Sequence, residues 1–184
     1  MTRNLRNPTD SWKRDFAMTV LDVDGLKFNF PASWSVSKYD DWNFYRNQFL
    51  RIGSGVKAVD LIALCADTAW MIEVKDYRVH PRTKTVDIHQ EFADKVMHTL
   101  SALLPAKVNA NDISEQDFAA KALRATQLRL VLHLEQPVKH SKLFPRAIDP
   151  ANVQIKLRQK LKAIDPHPIV AETAKMHGLN WSVT

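Results

Sequence analysis

Three charged residues lie where the chain otherwise has the composition of buried strands. Asp60 belongs to the apolar run 58–65, and Glu73 and Lys75 stand two positions apart in the run 70–76. Removing an unpaired carboxylate or ammonium group from water costs several kcal/mol, so buried strands usually avoid such groups. A divalent cation held by the two carboxylates would offset that cost, because hard cations prefer carboxylate oxygens. The residue types and their spacing therefore predict a metal site beside a lysine.

The pairing of the two runs decides whether these side chains meet. Side chains alternate between faces along a strand, so Glu73 and Lys75 share a face. In an antiparallel hairpin, a two-residue turn at 67–68 pairs Asp60 with Lys75, whereas a turn centred on 66–67 pairs Asp60 with Glu73. An odd-length loop without a bulge would place Asp60 on the opposite face. Either even-length turn predicts a cluster.

A solvated sheet face is a simpler interpretation of the same residues, because charges are common on open antiparallel faces. The face would also carry large apolar side chains, which is unlike a solvated surface: Ile62, Leu64 and Met71. This mixture favours the metal site.

Val59-Asp60 in one strand and Glu73-Val74-Lys75 in the next resemble the signature of the PD-(D/E)XK nuclease superfamily. The resemblance covers roughly residues 38–100, with Val59 in place of the Pro that names the motif. It implies a restriction endonuclease-like fold and a nuclease that hydrolyses phosphodiester bonds in DNA or RNA. It also implies that Asp60 and Glu73 bind Mg²⁺ or Mn²⁺, and that Lys75 orients the attacking water, so that all three are catalytic. Such an ion lowers the pKa of bound water and neutralises charge developing on phosphate.

The helix that precedes the first acidic strand often donates a further metal ligand in that superfamily. Here that segment offers Asp40 and Asp41, with no Glu, and both also suit the first turn of a helix through its dipole. Candidate nucleic-acid contacts follow Lys75: Arg78, Arg82 and Lys84 in the basic loop 77–86, and Gln90 in the next helix. Gln90 is explained equally well as the partner of Asp87 in a capping box.

Charge is concentrated in the second half of the chain. The 184 residues have a formal net charge of +6, with 45% hydrophobic and 25% charged residues. Residues 121–162 contain ten Lys or Arg and only two acidic residues, Glu135 and Asp149. A surface of this kind attracts polyanions, although charge runs are usually just solvated faces. Beside a candidate phosphodiesterase site, the charge predicts a nucleic-acid partner, with DNA preferred.

Periodicity and turn residues predict an α/β fold, in the form of a three-layer α/β/α sandwich with a small central mixed β-sheet and an N-terminal β-hairpin. The hairpin spans 18–30 and turns at Asp24-Gly25. The other predicted elements are a helix over 37–50, the two charged strands, helices over 87–104 and 113–125, a strand over 128–135 that buries one face, a helix opened by Asp149-Pro150, and a short strand in 178–184.

Domain organisation and location follow from simpler features. Residues 1–15 form a polar segment, and 16–184 are expected to form a single domain. No run approaches the roughly 20 apolar residues that cross a bilayer, and the N-terminus lacks the apolar core of a signal peptide. Cys65 is the only cysteine, so no internal disulfide can form. A cytoplasmic protein without a membrane partner is expected.

Two hypotheses of different classes follow. The first is a metal-dependent nuclease, with a homodimer expected where two strands must be cut. The second is a non-catalytic nucleic-acid-binding or regulatory protein on the same fold. A third interpretation, a protein–protein module, rests on aromatic residues that mark an interface if they are exposed: Trp12, Trp34 and Trp42.

Overall fold

The computed structural model describes residues 18–139 and 146–184. Eight strands and four α-helices lie in these ranges: β1 Met18–Val23, β2 Leu26–Pro31, β3 Ser35–Lys38, α1 Asn43–Asn47, β4 Leu61–Cys65, β5 Thr68–Asp76, α2 Ile88–Asn109, α3 Ile113–Ala122, β6 Gln127–Glu135, α4 Pro150–Leu161, β7 Ile169–Ala171 and β8 Ser182–Val183. The predicted polar segment 1–15 and Trp12 lie outside the described residues. No helix in the described ranges is long and apolar enough to cross a membrane.

Two sheets organise the fold. The central sheet has the order β3-β4-β5-β6-β7, antiparallel from β3 to β5 and parallel from β5 to β7. The smaller sheet is antiparallel and has the order β1-β2-β8. The mixed α/β architecture and the mixed central sheet agree with the prediction.

The two faces of the central sheet have different covers. One face packs against α2, α3 and α4, where Met71 and Leu132 join Phe92 and Leu157 in one core. The small sheet covers the other face and packs Phe28 with the central-sheet residues that point toward it. The layers are therefore helices, sheet and sheet, and the predicted α/β/α order is wrong in its third layer. The cause lies in the hairpin, whose buried apolar face needs a sheet to pack against.

The N-terminal hairpin is confirmed, with its turn at Asp24 and Gly25. Both residues adopt the left-handed region, with φ of 53° and 82°. Gly tolerates this conformation, and the Asp22 carboxylate accepts a hydrogen bond from the Gly25 amide at 3.0 Å. The predicted C-terminal strand also exists, and it pairs Val183 with Phe28.

The predicted helix over 37–50 is wrong in its first half. Ser37 lies in β3 and pairs with Ile62 of β4, and Trp42 is extended, with ψ of 135°. Only α1 and short 3₁₀ turns on either side remain helical. Strand pairing therefore overrides the local helical periodicity. The predicted aromatic face is buried all the same: Trp42, Tyr45 and Phe49.

The later elements follow the prediction with shifted ends. Helix α2 continues five residues beyond 104 and passes through Pro105, while α3 ends at Ala122, before the predicted 125. Ala102 and Ala106, which flank Pro105, are fully buried, so packing holds the helix together despite the lost hydrogen bond. Strand β6 is central, and from Leu130 onward it is buried on both faces instead of one.

Candidate functional site

The register of β4 and β5 brings the predicted charged residues together. Leu61 pairs with Ile72, and Cys65 pairs with Thr68, so the turn residues are 66 and 67. Continued by one step, this register sets Asp60 opposite Glu73, as the second of the two even-length turns predicts. The Asp60 carboxylate accepts a hydrogen bond from the Val74 amide at 2.6 Å, which fixes its position beside β5.

Glu73 lies at the centre of a buried charged cluster, which we define as Asp60, Glu73, Lys75, Glu91 and Lys95. The Glu73 side chain is 1% exposed. Its Oε1 atom lies 2.5 Å from Lys75 Nζ and 2.6 Å from Lys95 Nζ. Lys95 Nζ also lies 3.3 Å from Asp60 Oδ1, so one ammonium group bridges the two carboxylates.

A third carboxylate extends the cluster away from Asp60. Glu91 of α2 lies 3.7 Å from Lys75 Nζ, and it also accepts hydrogen bonds from Arg82 at 2.9 Å and Lys84 at 2.6 Å. Although burial opposes the effect, these hydrogen bonds lower the pKa of Glu91 to about 2. Glu91 is thus held in its ionised form and anchors the loop that follows β5.

Glu73 has a different electrostatic environment. Burial raises its pKa to about 7, reinforced by the charge of Asp60 and opposed by Lys95 and Lys75. In return, the charge of Glu73 raises the pKa of Lys75 although burial opposes it. A carboxyl group that titrates near neutrality between two ammonium groups can exchange a proton under physiological conditions.

The two carboxylates of the cluster meet at Lys95. Asp60 Oδ1 and Glu73 Oε1 lie 3.3 Å and 2.6 Å from Lys95 Nζ, so both oxygens approach the same ammonium group. The Oε2 atom of Glu73 is buried without a hydrogen-bond partner. In the described ranges, no group of three or more His, Cys, Asp or Glu is arranged to hold a metal. Asp60 and Glu73 offer carboxylate oxygens, the donors that hard cations prefer.

A cavity of about 350 Å³ gives access to the cluster. Its lining includes two members of the cluster, Asp60 and Lys95, together with four residues from outside the cluster: Asp40, Tyr45, Arg46 and Lys57. Arg46 and Lys57 are among the exposed and half-buried residues at this surface. The cavity lining thus carries two carboxylates, Asp40 and Asp60, and three cations, Arg46, Lys57 and Lys95.

The structure distinguishes the two candidates for a further metal ligand. Asp40 lines the cavity, and burial together with the charge of Asp60 raises its pKa to about 6. Asp41 instead forms ion pairs with Arg46 and with Lys38 at the surface. Asp40 is therefore the one that shares the site with Asp60, while a ligand role for either stays a prediction.

The predicted nucleic-acid contacts have partners within the protein. Arg78 forms a two-pronged ion pair with Asp76, with its closest contact at 2.6 Å. Gln90 donates to Asp94 at 2.6 Å, and the side chain of Asp87 accepts no capping hydrogen bond, so the proposed capping box does not form. Arg82 and Lys84 contact Glu91, as described above. Their role in binding nucleic acid is untested and stays a prediction.

Sequence reasoning missed Glu91 and Lys95. Both lie on α2, each one position before a buried apolar residue, Phe92 or Val96. The signal that could have identified them is their position directly beside the apolar stripe of an amphipathic helix, the stripe that packs on the sheet. Their partners on β5 could be identified only once the helix was placed over that strand.

Comparisons with known proteins point away from the expected family. The chain is similar to the cysteine–tRNA ligase of Neisseria meningitidis serogroup A, at 32% identity over 175 residues, which cover 79% of this chain. The chain spans about a quarter of that relative, 25% of its length. No family model matches the chain. No solved structure matches it either.

The similarity corrects the functional prediction. A relative named as a ligase of cysteine and tRNA overturns both the assignment to the PD-(D/E)XK superfamily and the activity of a phosphodiester-hydrolysing nuclease. Both predictions are wrong. The short motif around Asp60, Glu73 and Lys75 describes a real cluster of charges, but three residues in a diverse pattern do not identify a family.

Proposed function

We propose that the chain binds tRNA and serves a function related to tRNA aminoacylation. The observation that carries this proposal is the 32% identity to a cysteine–tRNA ligase over 79% of the chain. Because the chain spans only 25% of that relative, we assign it the role of a tRNA-binding module and not the complete ligase reaction. This function replaces DNA by tRNA as the expected nucleic-acid partner.

Charge distribution supports the proposal. Four cations on α4 and just after it lie within the described residues without a carboxylate at ion-pair distance: Lys156, Arg158, Lys160 and Lys162. The cavity over the charged cluster adds two cations that already have carboxylate partners: Arg46, which pairs with Asp41, and Lys57, which lies 3.3 Å from Asp94. Phosphate contacts from Lys and Arg supply most of the sequence-independent affinity of proteins for nucleic acids.

The test is binding of unmodified tRNA by fluorescence anisotropy at several salt concentrations. We expect saturable binding that weakens with salt, and weaker binding of a DNA duplex of matched charge. The double variant Arg46→Ala, Lys57→Ala should weaken tRNA binding about tenfold if the cavity takes part. A control that removes the same charge elsewhere is Lys27→Ala, Lys107→Ala, two exposed residues that do not line the cavity.

Absence of tRNA binding by the unaltered chain at about 0.15 M salt would refute the proposed function. Equal affinity for tRNA and for the DNA duplex would mean that the chain binds polyanions in general, which would contradict a specific tRNA-binding function. Equal loss in the cavity variant and in the control would remove the cavity from the interface and leave tRNA binding itself in place.

We also propose that Asp60 and Glu73 hold a divalent cation, Mg²⁺ or Mn²⁺. The unpartnered Oε2 atom of Glu73 and the short separation of the two carboxylates support this assignment. Asp60 and Glu73 would hold the ion through their carboxylate oxygens. When bound, it would supply positive charge for a phosphate group of the RNA in the cavity.

Calorimetric titration with Mn²⁺ tests the cation site without reference to any activity. We expect Glu73→Gln to abolish binding and Asp40→Asn to weaken it. Asp41→Asn is the matched control, because Asp41 forms surface ion pairs outside the cluster. Binding that persists in Glu73→Gln would place the cation elsewhere.

A further inference from the structure

A second concavity lies between the loop that follows β5 and the first half of α4. It is a groove of about 290 Å³, and its lining includes Arg82, Lys84, His89, Asn152 and Lys156. None of the residues that line it belongs to the cavity over Glu73 and Asp60. The groove is therefore a separate surface, although Arg82 and Lys84 connect it to the charged cluster through Glu91.

Two lysines give the groove accessible positive charge. The Lys84 side chain is 63% exposed, and its ammonium group contacts Glu91, which Arg82 also neutralises. If Lys84 gives up its ion pair with Glu91 to bind a ligand, Arg82 still pairs with that carboxylate. Lys156 comes from α4 on the opposite wall, and no carboxylate of the described residues lies within ion-pair distance of it.

Two carboxylates, Asp87 and Asp149, also line the groove, so its lining carries three cations (Arg82, Lys84 and Lys156) against two anions. Asp149 accepts the Ala151 amide at 3.0 Å and is used as the N-cap of α4. The Asp87 side chain is 68% exposed and lies 3.9 Å from His89. Burial lowers the pKa of His89, opposed by the charge of Asp87 and reinforced by two lysines of α4, Lys156 and Lys160.

We propose that this groove binds a backbone phosphate of tRNA between Lys84 and Lys156, with Asn152 as a neutral donor. The inference rests on the proposed tRNA-binding function and names a place on the chain where the RNA backbone contacts it. A phosphate there competes with Glu91 for Lys84, while Arg82 keeps Glu91 paired. Cations on two opposite walls clamp a phosphate more specifically than a single exposed face does.

The double variant Lys84→Ala, Lys156→Ala tests the groove. We expect its affinity for tRNA at about 0.15 M salt to fall tenfold or more, and the slope of log affinity against log salt to lose about one to two, since each phosphate contact contributes about 0.7–0.9. The control Lys27→Ala, Lys107→Ala removes the same charge from exposed positions outside the groove, and it should change the affinity less than about twofold. Because Lys84→Ala removes one of the cations that neutralise the buried Glu91, urea unfolding is used to confirm that every variant is folded under the binding conditions.

The outcomes separate the groove from the proposed function. If the unaltered chain binds tRNA and the groove variant binds it with the same affinity and salt slope, the groove inference is overturned and tRNA binding stands. If the unaltered chain does not bind tRNA, both fail. A second measurement follows backbone amide shifts of Ile88, His89 and Asn152 during titration with inorganic phosphate: shifts that disappear in the groove variant support the site, and amides that do not respond overturn it.

Discussion

Two buried glutamates on neighbouring parallel strands have opposite environments. Glu135 of β6 points toward the small sheet, where its Oε1 atom contacts His133 Nε2 at 2.9 Å and accepts the amide and hydroxyl of Thr173, each at 2.6 Å. These groups lower the pKa of Glu135 to about 2 although burial opposes them. Glu73 of β5 points toward the helices, its Oε2 atom has no hydrogen-bond partner, and its pKa is raised to about 7.

The difference separates a structural carboxylate from one available for binding. Hydrogen bonds that favour the charged form hold Glu135 ionised, and they close a loop between β6 and the segment after β7. Glu73 has charges around it but no hydrogen bonds from fixed donors, and a cavity reaches its partners Asp60 and Lys95. A buried polar group that the fold leaves unsatisfied is where a ligand has most to offer.

Removing Glu135 should have the largest effect. Glu135→Ala leaves the His133 and Thr173 donors without an acceptor in the core, so we expect a loss of about 3 kcal/mol in the free energy of unfolding, measured with urea at pH 7. The pKa of Glu135 is lowered, so the stability that its charge contributes is present above the unfolded pKa of about 4.4 and is lost as the pH falls toward 2. The cost of the substitution should therefore shrink in acid.

Glu135→Gln is the matched control, because an amide keeps an acceptor for Thr173 but not the charge. It should cost less than Glu135→Ala at pH 7, and it should approach the unaltered chain near pH 2. A cost that stays constant from pH 7 to pH 2 would contradict the assignment of an ionised, hydrogen-bonded Glu135.

Glu73→Gln should show the opposite pH dependence, with a smaller effect. The pKa of Glu73 is raised, so its stabilising contribution is complete below the unfolded pKa of about 4.4 and is lost as the pH rises through about 7. A permanently neutral Gln does not suffer that loss. Relative to the unaltered chain, the variant should therefore gain about 2 kcal/mol in free energy of unfolding between pH 5 and pH 8.

The two ammonium groups beside Glu73 favour its charged form, and this effect could reverse the expected change in stability. If ion pairing with Lys75 and Lys95 outweighs burial, Glu73→Gln will be less stable than the unaltered chain at pH 8, and the contrast with Glu135 will collapse. A pH titration followed by the carbon-13 chemical shift of the Glu73 carboxyl group distinguishes the two outcomes. Its midpoint should lie near pH 7, well above the midpoint for Glu135.

The sequence predicts elements where local chemistry and tertiary packing agree. Asp24-Gly25 demands a tight hairpin, and Asp149-Pro150 both caps and starts α4, so these were identified correctly. Residues 37–50 have helical periodicity, but Ser37 gains strand pairing with β4 that no local pattern reveals. Glu115 illustrates the same limit, since its carboxylate accepts the Asn43 and Phe44 amides of α1, far away in sequence.

The charged cluster also has a part that local sequence predicts and a part that only tertiary packing determines. Parity of the β-hairpin was enough to bring Asp60 beside Glu73, because the period of a strand leaves few alternatives. Lys95 and Glu91 depend on how α2 lies across β5, which periodicity does not determine. Function was the part predicted wrongly: the cluster at Glu73 is compatible with many chemistries, and the similarity to a cysteine–tRNA ligase has no counterpart in the residues that make the cluster.

A substitution in the turn between β4 and β5 should have the smallest effect. It should change the free energy of unfolding without changing the charges around Glu73. Ala66 adopts the left-handed region, with φ of 51°, and its side chain is exposed. Ala66→Gly removes the steric cost of that conformation but increases the entropy of the unfolded chain, so we expect a gain of about 0.5–1 kcal/mol in urea unfolding. The pKa of Glu73 should not move, because the pairing of Asp60 with Glu73 is unchanged. A shifted Glu73 midpoint in this variant would mean that the turn, and not only burial, sets the environment of the cluster.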